Sequence, residues 1–112
     1  MKEIQYITLS SDLIGLIGFA QKARAVDKGF QAVKSGLTRG KIGFLLLDKS
    51  LGESSFKKIA SIARLHKIPV FMVTDGSKQK SLSYITGYKI LGVHKGGLAA
   101  GFIQKLKQEH QW

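Results

Sequence analysis

The sequence predicts a single α/β domain, a three-layer α-β-α sandwich around a small mixed sheet. Two continuous apolar runs, IGFLLLD (Ile42 to Asp48) and PVFMV (Pro69 to Val73), have the character of strands covered on both faces. Segments with helical apolar spacing alternate with them, which is the pattern of helices packed on either side of a sheet. The chain has 112 residues, close to the common size of one domain, and no linker, repeat or low-complexity segment divides it.

The elements follow in order. Ser10, Ser11 and Asp12 form a helix start, and Leu13, Leu16, Ile17 and Ala20 then recur at helical spacing, so the first helix runs to about Ala23. RAVDKG (Arg24 to Gly29) reads as a short extended connector or brief strand. A second helix covers about Phe30 to Thr38, with Phe30, Val33 and Leu37 facing inward and Gly40 suited to the left-handed position after its end. After the strand IGFLLLD, Glu53 to Lys67 is the clearest amphipathic helix. Phe56, Ile59, Ile62, Ala63 and His66 are its inner face, and Lys57, Lys58 and Arg64 its outer one. PVFMV is the next strand, Ser77 to about Ile85 a helix ending at Gly87, YKILGVH a third strand, and Leu98 to Gln108 the last helix.

Composition narrows the partners. Eighteen Lys and Arg against seven Asp and Glu give a formal charge of +11, while 44% hydrophobic residues exclude a disordered polyelectrolyte. Lys and Arg displace phosphate counterions, so nucleic acid is the leading partner; an anionic membrane surface and a merely basic soluble protein are the competing readings. With no cysteine, disulfides and thiolate-held metals are excluded. The apolar run LIGLIGFA is far short of the ~20 residues that span a bilayer and has no convincing cleavage site after it, so a cytoplasmic protein without a membrane partner is expected.

The charge is uneven. From Lys22 to Lys41 there are six basic residues (Lys22, Arg24, Lys28, Lys34, Arg39 and Lys41) and one acid, Asp27. A solvated helix usually interleaves both signs three or four residues apart; this one is suited to something negative. A helix starting after Gly29 offers unpaired amides and a positive dipole end to a phosphate, and the glycine permits close backbone approach. Gln31 carries the donor and acceptor that reading a base edge requires. The competing reading is a plain helix start with a solvated Gln31.

Three stretches, GFAQKARAVDKG, GLTRGKIGFLLLDKSLGESSFKKIASIARLHKIPVFMV and LSYITGYKI, together with the order of elements, resemble the ribosomal L-seven-Ae / L-thirty-e / Gadd-like family of RNA-binding proteins, most of all the small bacterial YlxQ-type members. The resemblance covers about residues 11–106. It implies recognition of a kink-turn, a sharply bent helix–internal loop–helix RNA, in which the start of the second helix enters a widened groove. The family's leading glycine falls on Gly29 and its Asn or Gln position on Gln31. Ala32 stands at the family's Glu position and Ser35 at its Lys position, with Lys34 one place early. A second contact, a Gly-led loop, falls on Gly87, Tyr88, Lys89 and Ile90. The implied protein is a ribosomal or ribosome-associated RNA-binding monomer whose partners are structured RNA and ribosomal proteins. Basic side chains at Lys22, Arg24, Lys28 and Arg39 are then expected on the phosphate backbone.

Other readings stand beside it. The same scaffold serves as a protein–protein module if its basic face meets an acidic partner. Tyr88 either stacks on a base or packs as a strand aromatic. KGGLAAG (Lys95 to Gly101) looks like a phosphate loop but lacks the GxxxxGK[ST] spacing, and reads as a strand-to-helix turn with small residues for tight packing. His66, His94 and His110 are scattered, no G-x-S-x-G elbow is present, and no cofactor or metal is implied. Asp48, at the C-terminal end of a buried strand, is the one carboxylate in an enzyme-like position, and it more often caps the following loop. No catalysis is expected.

Overall fold

The computed structural model describes residues 4–74 and 78–111. Five strands form one mixed sheet in the order β1-β4-β3-β5-β2, with β1 at Ile4–Ile7, β2 at Val26–Lys28, β3 at Ile42–Asp48, β4 at Val70–Val73 and β5 at Ile90–His94. β1, β4 and β3 run parallel, and β5 pairs antiparallel with both β3 and β2. The helices are α1 (Ser11–Lys22), α2 (Phe30–Thr38), α3 (Glu53–Leu65), the short α4 (Leu82–Thr86) and α5 (Gly97–His110).

The apolar spacing of each helix decides which face of the sheet it covers. Leu13 and Ile17 of α1, Leu82 of α4 and Ala99, Phe102 and Leu106 of α5 pack with Phe44, Leu46, Leu91 and Val93 on one side. Val33 and Leu37 of α2 and Ile59, Ala60 and Ala63 of α3 pack with Ile42, Leu45, Leu47 and Ile90 on the other. Central β3 is therefore buried on both faces, as its unbroken apolar run requires. Glycine permits close approaches at the sheet. An added Cβ on Gly92 would lie 2.8 Å from Ile42 Cδ1, so the Ile42 side chain fills the space that glycine leaves on β5. At Gly43, where the β3–β5 register slips, a Cβ would lie 3.2 Å from Ala99 Cβ. KGGLAAG is thus the strand-to-helix turn expected, its small residues letting α5 sit close to β3.

The expected elements return within a residue or two, and the differences have local causes. β1 lies before Ser10, in a stretch to which the sequence assigns no element. It is a short edge strand with Ile4 and Ile7 buried and Gln5 and Tyr6 exposed, which is no alternation. His66 does not face the core: α3 ends at Leu65, and His66 is its exposed C-cap. The expected helix from Ser77 is two pieces, a single 3-10 turn at Lys78–Lys80 and α4, whose start is capped by Ser81 accepting from the Tyr84 amide at 3.2 Å; Ser77 itself lies outside the described residues. Among the described residues no helix is long and apolar enough to cross a membrane.

This topology gives the molecule two unlike ends. β1 to β4 all run toward one end, where α1, α2 and α3 begin, β5 starts and α5 finishes. The opposite end collects the C-termini of α1, α2 and α3, the last residues of β5 and the start of α5.

Candidate RNA-binding surface

At the first end, α2 begins directly beside the loop that enters β5. Gly29 caps the helix at φ 85° and ψ 166°, a region essentially closed to residues with a Cβ. In that conformation its amide donates to the Ile90 carbonyl at 2.9 Å while its own carbonyl accepts from the Val33 amide at 3.0 Å. One residue thus ends β2, opens α2 and ties both to β5. No side chain caps the helix and no acid lies in its first turn, so the amides of Phe30, Gln31 and Ala32 have no intrahelical acceptor. Gln31 and Ala32 are exposed.

The neighbouring loop is pinned from both sides. Gly87 closes α4 in the left-handed conformation, φ 79°. The Thr86 hydroxyl accepts from the Tyr88 amide at 3.1 Å and donates to the Leu82 carbonyl at 2.9 Å. The Lys89 carbonyl accepts from the Asp48 amide at 2.9 Å. Tyr88 is then held, 45% exposed, against the start of α2: Lys28 Nζ lies 5.8 Å from its ring centroid, within cation–π range. The ring also lies alongside Gly29, where an added Cβ would sit 3.5 Å from Cδ1. Tyr88 is therefore a loop aromatic with an accessible ring, outside the strand that was expected to hold it.

Asp48 organises the same end from beneath. Its carboxylate is 2% exposed. One oxygen accepts from the Ser50 amide at 3.0 Å and the Ser50 hydroxyl at 2.5 Å, and the other from the Ser83 amide at 2.9 Å. Burial pushes this carboxyl up, yet the hydrogen bonds from Ser50 and Ser83 outweigh it and hold the group below the usual carboxylate range. Asp48 caps its loop, as expected, and also fastens α4 to the end of β3. That second bond runs 35 residues along the chain and leaves no local signal in the sequence.

The residues expected to meet RNA divide between the two ends. Lys28, Gly29, Gln31, Gly87, Tyr88 and Lys89 come together, with Lys34 and Ser35 exposed one turn further along α2. Ile90 contributes its carbonyl only, because its side chain is 3% exposed and lies in the core. Lys22, Arg24 and Arg39 lie at the opposite end of the sheet, beyond the C-termini of α1 and α2. Among the described residues no group of three or more His, Cys, Asp or Glu is placed to hold a metal ion.

No family model matches the chain, and no curated protein matches it. Solved structures do. A protein of unknown function from Bacillus halodurans superposes with a TM-score of 0.73 at 22% identity over 88% of this chain and 99% of that one. A 15.5 kD RNA-binding protein from Giardia lamblia superposes with a TM-score of 0.64 at 13% identity, over 90% of this chain and 92% of that one. An archaeal translation termination factor shares a region of 76% of this chain and 26% of its own length, with a TM-score of 0.59 at 16% identity. At these identities the likeness is one of fold.

Proposed function

We propose that the protein binds structured RNA, a kink-turn or a similar bent internal loop, through the start of α2 and the Gly87–Lys89 loop. The carrying observation is the contact between those two segments. They are nearly sixty residues apart in sequence, each was picked out separately by the family resemblance, and the Gly29–Ile90 hydrogen bond and the Lys28–Tyr88 contact make them one surface. An uncapped helix start supplies amides for a phosphate, Gln31 supplies a donor and an acceptor for a base edge, and Tyr88 supplies a ring for an unpaired base. That two of the structural relatives are an RNA-binding protein and a translation termination factor supports the same reading. The protein belongs on this reading to the L-seven-Ae / L-thirty-e family and works in the cytoplasm, with ribosomes or their assembly, as a binding protein and not an enzyme.

The test is a titration of a kink-turn RNA beside the same strand with its internal loop fully paired, at physiological salt. The expected preference for the bent loop is tenfold or more, about 1.4 kcal/mol. Gln31→Ala should lower affinity for the bent RNA with little change on plain duplex, whereas Lys28→Ala weakens both alike. Equal binding to the two RNAs, or equal losses from both substitutions on both, overturns the reading.

A further inference from the structure

The opposite end of the sheet concentrates charge more strongly than the surface just described. α1 and α3 end in left-handed residues, Arg24 at φ 56° and Lys67 at φ 58°. Glycine is the unstrained choice at such helix ends, so two basic side chains stand where a neutral, cheaper residue serves the backbone better. Arg39 is the C-cap of α2 and Lys22 the last residue of α1. The Lys95 amide donates to the Lys41 carbonyl at 2.9 Å, and the neighbouring His94 amide to the Ala25 carbonyl at 2.8 Å, so Arg24, Lys41 and Lys95 emerge side by side from three adjacent strand ends. All six of these cationic side chains are exposed. Among the described residues the one carboxylate here is Asp27, which is turned inward, 3.2 Å from His94 Nε2 and against Gly36.

Helix dipoles account for only part of this. Basic residues are favoured near helix C-termini, and three helices end here. Each end carries about half a negative charge, and the start of α5 returns about half a positive one. Six cations less Asp27 leave five, and the dipoles reduce that to about four. At the other end, by contrast, Asp12, Asp48, Glu53 and Glu109 interleave with the cations, and Glu53–Lys57 and Asp12–Lys105 form ion pairs at 3.0 and 3.1 Å.

We propose that this end is a second RNA-binding surface, which holds the phosphate backbone of a helical stem without regard to sequence, so that one copy of the protein joins two segments of RNA. The inference shares with the proposed function the view that the partner is RNA, but it rests on different residues. An anionic bilayer fits the arrangement less well. The exposed apolar side chains at this end, Phe19 and Leu65, sit on α1 and α3, which cover opposite faces of the sheet, so they offer no single apolar face to insert. Phe19 instead lines a shallow hollow with Lys22 and Ala23, a ring beside a cation as nucleic-acid surfaces use.

The experiment is the salt dependence of binding to a plain RNA duplex with no internal loop, with the intact chain and with Arg24→Gln/Lys41→Gln/Lys95→Gln. Each phosphate neutralised contributes about 0.9 to the slope of log affinity against log salt on a DNA duplex. The triple variant is expected to lower the slope by about two to three and the affinity at least tenfold. The charge-conserving Arg24→Lys/Lys41→Arg/Lys95→Arg should restore both, which separates lost charge from lost fold. Amide resonances of residues 23–25, 40–41 and 95–96 should move on adding the duplex. An unchanged slope, or resonance shifts confined to residues 28–31 and 87–90, overturns the proposal. So does a triple variant that loses phosphatidylserine vesicles but keeps duplex. Failure of the bent-loop preference leaves these readouts intact, so the two surfaces stand or fall separately.

Discussion

Gly29→Ala tests whether the start of α2 depends on a backbone conformation that only glycine adopts. The structure supplies its own control. Gly29 and Gly52 do the same job, each capping a helix without a side-chain hydrogen bond. Gly52 does so at φ −61° and ψ 150°, open to any residue, and a Cβ there meets nothing within 4 Å. Gly29 does so at φ 85°, while its added Cβ would make ordinary contact with the Tyr88 ring at 3.5 Å. Space is adequate at both sites, so the backbone is what separates them. Forcing a Cβ into the region Gly29 occupies costs about 1–3 kcal/mol. Restricting the unfolded chain returns about 0.4–1 kcal/mol at either position. The expected net effect is a loss of about 1–2 kcal/mol for Gly29→Ala and a gain of up to about 1 kcal/mol for Gly52→Ala.

For 112 residues the unfolding entropy is about 0.24 kcal/mol/K, so Gly29→Ala should lower Tm by about 4–8 °C. Thermal unfolding followed by circular dichroism measures both variants. Because the Gly29 amide is bonded to Ile90, relaxation of the strained residue must also disturb residues 87–90, visible as amide shifts at Tyr88 and Lys89. If Gly29→Ala melts within about 2 °C of Gly52→Ala, the positive φ is not what holds α2 to β5, and the reasoning fails.

Two further outcomes are expected. Asp48→Asn should cost about 1.5–3 kcal/mol at pH 7, the range for hydrogen bonds to a charged group, measured by urea unfolding. The carboxyl of Asp48 is lowered from 3.8 on folding, so its stabilisation is present above that pH and lost as pH falls through the lower folded value; the Asn variant should lose less stability than the parent over that acid interval, and an identical acid profile contradicts the assignment. Phe44 is fully buried and stacks on Phe102 at 5.0 Å between ring centroids, with Phe71 edge-on at 5.8 Å. Phe44→Ala should therefore cost about 3–5 kcal/mol, and a shift in urea midpoint worth under 1 kcal/mol would mean that the core closes over the gap.

The fold was legible because its strongest signals are local. IGFLLLD could only be a doubly covered strand, and Leu13, Ile17 and Ala20 state the buried stripe of α1 directly. β1 was missed because four residues at a sheet edge carry no period, and its place beside β4 comes from a partner 66 residues away. The helix expected from Ser77 broke at Ser81 because a serine hydroxyl offers the backbone a fresh cap, and a run of helix-tolerant residues does not reveal where that happens. At the candidate site, Gly29 and the Gly87 loop were each visible, but their contact was not, since no local rule states that the Gly29 amide ends on the Ile90 carbonyl. The same holds for charge. Lys22 to Lys41 read as one basic segment, and the topology splits it, leaving Lys28 at one end and Lys22, Arg24, Arg39 and Lys41 at the other.

Helix charges separate what the dipoles explain from what they do not. α1 and α3 follow the ordinary rule, with Asp12 and Glu53 in their first turns and Lys22 and Arg64 in their last. α2 and α5, the other helices longer than two turns, have no acid in the first turn and no capping side chain. α2 opens beside Lys28 and Tyr88, and α5 opens beside Lys95 and Lys41. These two helix starts therefore sit one on each proposed surface, positive in dipole and beside basic side chains. A helix stabilised only from within its own chain would gain from a carboxylate at either position. Leaving both without one costs little in isolation and keeps each place free for a negative charge from outside, which the phosphates of two RNA segments would supply.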